Sequence, residues 1–367
     1  MKNIEFVDRL FQYCMATGVG LFVESHPGQG KTSRFEAMTK AIGRVPQVLI
    51  ASIHQPPDFA GWPVPNTEAG YVSMLPTETF AQAATTPNMV IIMDEFSNSA
   101  PSVQAACLRP ILERVAGNLP LHPSTNFVLI ANPAESAADG NDIVAPLANR
   151  VAHAKYEADL DTWCEGVLTG FTTPAIVPNL DKWREYLPQA KARIVGFIRK
   201  KPQNLTMYPK DQAGWSRAYP TPRSCDLAAR LLAAHIASGS SDSPYRYLEA
   251  MVGMAWAAEF EQYDSNIDLP NPKDLLDGKI KWAKPERGDI AYTILAGVVG
   301  TAASDPTKEN LTKLGNVLVD AMKTEGGAFK DIVGSLITPV IKMSQDLKQT
   351  LPLALTAVLV RMTGTKV

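Results

Sequence analysis

The segment Ser25-His26-Pro27-Gly28-Gln29-Gly30-Lys31-Thr32 sets two glycines, a cation and a hydroxyl at a spacing suited to gripping phosphate. Glycines at 28 and 30 free the backbone to turn its N–H groups inward. Together with a following helix N-terminus, these groups can surround β- and γ-phosphate oxygens. Lys31 would add positive charge there, and the Thr32 hydroxyl suits Mg²⁺. The expected nucleotide contacts run over Pro27, Gly28, Gln29, Gly30, Lys31, Thr32 and Ser33. The usual pattern, GxxxxGK[ST], opens on glycine, and Ser25 takes that place here. A glycine-rich turn that merely caps a helix is the competing explanation.

The run Met89-Val90-Ile91-Ile92-Met93 ends in two acids, Asp94 and Glu95, at the strand end where open α/β sheets bind ligands. Adjacent residues of an extended chain point opposite ways, which allows two tasks. Asp94 is expected to hold Mg²⁺ through its water shell, and Glu95 to orient and polarise an attacking water. A second apolar run, Phe127 to Ala131, carries Asn132 at its tip, where the amide can hold that water beside the terminal phosphate. Arg150 follows an apolar stretch and precedes another strand; its guanidinium suits the terminal phosphate of a neighbouring copy, which would make assembly obligatory. Arg223 stands near the start of a helix, from which it could reach back over the phosphates and couple domain closure to nucleotide state. Ordinary surface ion pairing competes at both positions, with Asp226 the suggested partner of Arg223. Arg109 and Arg114 are further candidates for contacts between copies.

Positioning these residues takes alternating strands and helices. Strands are predicted at Val19–Glu24, Gln47–Ser52, Met89–Met93, Asn126–Ala131 and Val151–Tyr156, three of them continuous apolar runs as in parallel strands buried on both faces. Helices are predicted at Phe6–Ala16, Lys31–Ile42, Thr77–Ala84, Ala100–Val115 and Ile143–Ala148. The expected fold class is α/β, an αβα core with a five-stranded parallel sheet, followed by a helical lid and a helical C-terminal region. The expected boundaries are 1–157 for the core, 158–275 for the lid and 276–367 for the remainder, with late helices at Tyr292–Ala303, Lys308–Thr324 and Phe329–Leu347.

At 367 residues the chain exceeds what one hydrophobic core usually supports. No apolar run reaches the roughly 20 residues of a membrane-spanning helix, and residues 1–11 lack the features of a signal peptide, which predicts a cytoplasmic protein. Cys14, Cys107, Cys164 and Cys225 are far apart, without a CxxC pair, arguing against a zinc site or a disulfide framework. A net charge of -2 gives no global reason to expect nucleic acid.

Taken in order, Gly28–Thr32, Asp94-Glu95, Asn132, Arg150 and Arg223 resemble the Walker A, Walker B, sensor 1, arginine finger and sensor 2 of AAA+ ATPases. The MoxR-like branch is the most similar, through His54–Val64, Val103-Gln104 and Thr221–Ser224. The resemblance covers roughly Gly18 to Leu232. It implies a hexameric ring, ATP with Mg²⁺, catalytic roles for Lys31, Glu95, Asn132, Arg150 and Arg223, and remodelling of a protein client, often with a partner carrying a von Willebrand A domain. Ser25, and Arg114 where relatives often have an acidic pair, depart from the pattern. Two other readings use the same core: a ring motor or loader on nucleic acid, with Lys191, Arg193, Arg199, Lys200 and Lys201 as its basic cluster, and a nucleotide-gated scaffold with little turnover.

Overall fold

The computed structural model describes residues 2–68, 70–133, 142–171, 174–266, 269–324, 328–352 and 355–356. In chain order the elements are α1 (Asn3–Thr17), β1 (Gly20–Glu24), α2 (Lys31–Ala41), β2 (Val45–Ile50), α3 (Pro56–Ala60), β3 (Trp62–Asn66), β4 (Tyr71–Leu75), α4 (Glu78–Thr85), β5 (Met89–Asp94), α5 (Pro101–Ala106), α6 (Leu108–Glu113), β6 (Val115–Ala116), β7 (Leu119–Pro120), β8 (Asn126–Ala131), α7 (Ala145–Ala148) and β9 (Val151–Lys155). Helices follow: α8 (Leu160–Thr169), α9 (Trp183–Lys200), α10 (Pro222–Ala237), α11 (Tyr245–Val252), α12 (Met254–Asp264), α13 (Pro272–Leu276), α14 (Gly288–Ser304), α15 (Lys308–Lys323), α16 (Ala328–Ser335) and α17 (Ile337–Leu347).

The principal sheet runs β2-β5-β8-β1-β9, and all four pairings are parallel. Its three middle strands are apolar and buried, β8 along its whole length. One face, carrying Phe22, Ile91, Phe127 and Leu129, packs with Phe59, Phe80, Val103, Ile111 and Leu147 of α3 to α7. The helices α1 and α2 contribute nothing to that cluster and pack against the sheet from the other side. Each such large apolar side chain contributes about 1.5–3 kcal/mol on burial, so the strand tips emerge from a well-buried core. The fold class predicted from sequence is the one observed.

Several boundaries differ for physical reasons. The strand predicted at Gln47–Ser52 spans Val45–Ile50 instead. It includes Pro46, which an edge strand tolerates because one side of its backbone needs no donor. The single helix expected over Ala100–Val115 is two, α5 and α6. Pro110 has no N–H to give the Ala106 carbonyl, so the hydrogen-bond ladder breaks there. The antiparallel ribbons β3–β4 and β6–β7 were not predicted. The helix expected over Phe329–Leu347 is also two, α16 and α17, with Pro339 in the first turn of the second.

Two compact units divide the chain, and they differ from the expected three parts. One comprises Met1–Asp181 with Thr206–Ala257, the other Lys182–Leu205 with Ala258–Val367. In the first, α10 packs on α1, where the Tyr13 hydroxyl meets Ser238 at 3.0 Å. In the second, α9 packs on α14, and Gly196 lies so close to Thr293 that a Cβ would sit 2.0 Å from its hydroxyl. The core of this unit joins Leu295, Val298, Leu314, Leu318, Val333 and Val340. Among the described residues no helix is long and apolar enough to cross a membrane.

Candidate active site

The tips of β1, β8 and β5, three neighbouring strands, carry the residues singled out from the sequence. After β1 the backbone continues its pairing for one residue, Ser25 donating its N–H to Ala131 at 3.1 Å, and then turns. Gly28 and Gly30 have φ of 78° and 72°, the left-handed region, with open space where a side chain would be. Backbone conformation, not crowding, therefore requires glycine there. Ser25 is buried, its hydroxyl turned to the His26 carbonyl, so the departure from glycine fits an extended residue. Gly30 caps α2 without a side-chain acceptor, leaving the first N–H groups of the helix, Ser33 among them, without a side-chain cap.

Lys31, only 7% exposed, folds over the loop and donates to Ser25 O at 2.5 Å, His26 O at 3.1 Å and Asn132 Oδ1 at 2.8 Å. Burial lowers its pKa, and the negative charge of Asp94 works against that shift. All three acceptors are neutral, so the ammonium keeps a charge that an anion can satisfy.

At the tip of β5, Asp94 accepts the Thr32 hydroxyl at 2.5 Å through one oxygen and the Glu95 N–H at 2.8 Å through the other. Thr32 and Asp94 thus converge as a hydroxyl and a carboxylate, the hard oxygen donors Mg²⁺ takes alongside water and phosphate. Glu95 has φ 52°, a left-handed conformation that a side chain adopts at a cost and that recurs at functional sites. Its carboxylate accepts the Ser52 hydroxyl at 2.6 Å. Asn132 donates its N–H to Ser97 Oγ at 3.0 Å, which fixes the amide beside Lys31. Lys31, Thr32, Asp94 and Asn132 are therefore brought together, with Glu95 adjoining.

The two distal arginines are not. Val151 pairs with Gly20 at the start of β1, while the glycine loop follows Glu24 at its end. At about 3.3 Å per residue, the backbone of Arg150 stands ~20 Å from the start of the loop of its own chain. Its guanidinium donates to the Pro146 carbonyl. The buried Asn149 donates to Tyr219 O at 2.8 Å and accepts the Thr221 hydroxyl at 2.6 Å, which fastens the start of α10 at this end of β9. Arg223 is thereby set beside Arg150, whose pKa is lowered by burial first and by Arg223 second. The structure places Arg223 with Arg150, not over Gly28–Thr32 of the same chain. Neither arginine has an ion-pair partner among the described residues, and Asp226 pairs with Arg230 at 3.1 Å.

Arg114 is not available to a neighbour. It is largely buried, donates to Gly18 O at 2.9 Å and to the Ile111 carbonyl, and lies over the Phe127 ring; burial brings its pKa down to about 10. Arg109 is exposed and engaged by Glu113 at 3.2 Å and Gly117 O at 2.9 Å. In the helical unit, Arg193 pairs with Asp264 at 2.8 Å, Lys201 with Glu259 at 2.7 Å and Lys200 with Asp289 at 3.9 Å, while Arg199 stacks on Tyr292. The basic cluster is thus largely engaged within its own unit.

A cavity of about 610 Å³ opens beside Gly28, Gln29, Gly30 and Ser33, walled by Ile4, Tyr156, Trp163 and Phe171. Its size and apolar walls suit the nucleoside end of a ligand whose phosphates lie in the loop. Gln29 Oε1 accepts the Ala158 N–H at 3.1 Å and ties the loop to the entry of α8. Sequence reasoning missed these wall residues. The available signal was a tryptophan in the helix after the last strand and a phenylalanine just beyond that helix, with little else to bury them.

No family model matches the chain, and no curated protein matches it. Among solved structures the chain is similar to a putative ATPase from Cytophaga hutchinsonii, at 14% identity and a TM-score of 0.40, covering 77% of this chain and 92% of that one.

Proposed function

We propose that the chain is an Mg-ATP hydrolase of the AAA+ class, in the MoxR-like branch. In this reading it works as a ring, hexameric by resemblance, that remodels a protein or macromolecular complex. One observation carries the hydrolytic part: the start of α2 is joined by side chains to the tips of two neighbouring strands, Lys31 to Asn132 and Thr32 to Asp94. Such convergence is what a triphosphate with a divalent cation needs.

In this reading the N–H groups of Gly28 to Ser33 receive the β- and γ-phosphates, and Lys31 exchanges its carbonyl contacts for phosphate oxygen. Thr32 and Asp94 would hold Mg²⁺, which supplies charge neutralisation on the phosphates. Glu95 orients a water and accepts its proton as the oxygen attacks the terminal phosphorus; the bond from that phosphorus to the β–γ bridging oxygen breaks and ADP leaves with that oxygen, while Asn132 holds the water on its other side. Arg150 is too far from its own loop to take part there, so it serves a neighbour's terminal phosphate, and Arg223, beside it, serves the same neighbour. A client protein, with a von Willebrand A domain protein as one candidate partner, fits better than nucleic acid because the basic cluster is already engaged in ion pairs.

Phosphate release from Mg-ATP, measured across a range of protein concentrations, tests this. Turnover per chain is expected to rise with concentration and level off as copies associate. Turnover independent of concentration in a monomeric protein would remove the neighbour's arginines from the mechanism. An assembled, nucleotide-bound protein without turnover would be a scaffold.

A further inference from the structure

A second cavity, of about 290 Å³, lies along the β9 edge of the principal sheet and shares no wall residue with the nucleotide cavity. Every residue lining it belongs to the first of the two units. Phe6, Phe22 and the His153 ring give it an aromatic wall, with the Phe22 and His153 ring centroids 5.3 Å apart. His153 donates through Nε2 to Ala148 O at 2.8 Å, and burial brings its pKa down to about 4. The ring is therefore neutral near pH 7 and adds no charge to the wall.

Among the described residues the lining carries Lys155, Arg217, Arg246, Glu24 and Glu249 as its ionic side chains. Three of them satisfy one another: Glu24 takes Arg217 at 3.1 Å through one oxygen and Lys155 at 3.7 Å through the other. Arg246 and Glu249 do not. They stand three residues apart on α11, a spacing at which helix side chains meet, yet they form no ion pair. Neither has another ionic or hydrogen-bond partner among the described residues. Arg246 lies instead over the Phe6 ring, its guanidinium carbon 3.9 Å from the centroid. Stacking occupies the faces of a guanidinium and leaves its N–H edge open to a carboxylate. Glu249 is half-buried; burial raises its pKa and the charge of Arg246 works against that shift. Partly buried charges without hydrogen bonds cost free energy that a ligand of opposite charge recovers.

This balance restricts the ligand. With Glu24 engaged by two cations, one guanidinium and one carboxylate remain, a helix turn apart. A phosphate or polyanion would face the carboxylates of Glu24 and Glu249, and a simple amine would face three cations, both unfavourable juxtapositions. A molecule with a carboxylate and an ammonium on one carbon matches the two open groups. The volume stands at the lower end of the range for ligand pockets, and the aromatic wall suits an apolar substituent. We propose that this cavity binds a free α-amino acid with an apolar side chain, its carboxylate on Arg246, its ammonium on Glu249 and its side chain against Phe6 and Phe22. The site requires neither nucleotide nor a neighbouring copy.

Ligand-observed NMR titration of the full chain with L-leucine, L-methionine, L-phenylalanine and L-tryptophan, each to about 10 mM, reaches dissociation constants in the millimolar range and tests the proposal. At least one of them is expected to bind. For the tightest, the amide, which lacks the carboxylate, and the N-acetyl derivative, which lacks the ammonium, are each expected to bind about tenfold or more weakly. Glu249→Gln and Arg246→Gln are expected to cause the same loss with an unchanged circular dichroism spectrum. Should one variant fold poorly, the other variant and the two derivatives decide. No binding by any of the four amino acids would overturn the proposal, as would binding that derivatives and variants leave within about threefold of normal. Tighter binding of a dipeptide such as leucyl-leucine than of any free amino acid would also overturn it, since the two charges would then lie on different residues.

Discussion

Glu95→Gln is expected to lower steady-state phosphate release by about 10²–10⁴, the range a positioned general base contributes. Mg-ATP affinity should change by less than about threefold, because Lys31, Thr32 and Asp94 are untouched. Glutamine keeps the shape of the side chain and an oxygen for the Ser52 hydroxyl, so the left-handed turn at residue 95 has no new reason to move. What it lacks is a carboxylate able to take the proton from water. Parallel measurement of phosphate release and nucleotide binding separates the outcomes. Loss of turnover with binding retained supports the role, and turnover within about threefold of normal would assign the base elsewhere.

The second large effect concerns the arginines. Lys31→Ala and Arg150→Ala are each expected to reduce turnover at least about a thousandfold, the first by emptying the phosphate grip and the second by removing charge stabilisation at the terminal phosphate. Mixed in equal amounts, the two variants should recover activity. A site functions when its own chain retains Lys31 and the adjoining copy retains Arg150, which in a randomly mixed ring occurs at about a quarter of interfaces. Because Arg223 sits with Arg150, Arg223→Ala should complement Lys31→Ala in the same way. If either arginine acted within its own chain, the Lys31→Ala copies would have no loop to serve and mixing would restore nothing. The experiment thus decides separately for Arg150 and Arg223.

The part of this account legible in the sequence is the part whose signal is local. The bounds of β8 were read as they stand, and those of β5 to within a residue, because a strand buried on both faces must be apolar throughout. The loop geometry was legible because Gly28 and Gly30 fall at a short spacing before a helix, and both take the left-handed conformation that glycine serves. The hairpin β3–β4 escaped because its strands are short and β3 carries prolines at 63 and 65, which read as loop. The placing of α9 and α10 in different units escaped because an amphipathic helix announces that it has an apolar face and not which surface that face will meet. Arg223 illustrates the same limit. Its position at a helix start was correct, but the helix start is tied by Asn149 to the end of β9 away from the glycine loop, a tertiary fact that spacing does not encode. The cavity walls at Ile4, Tyr156 and Trp163 come from α1, the segment just after β9 and α8, and meet only in the fold.

The central claim is that a triphosphate is gripped by the loop from Gly28 to Thr32. Calorimetric titration of Mg-ATP into the full chain and into Lys31→Ala tests it most directly. The account predicts one site per chain in the unmodified protein and a loss of affinity of about a hundredfold or more in the variant. Equal binding by both, or no heat of binding to the unmodified chain at millimolar nucleotide, would contradict it.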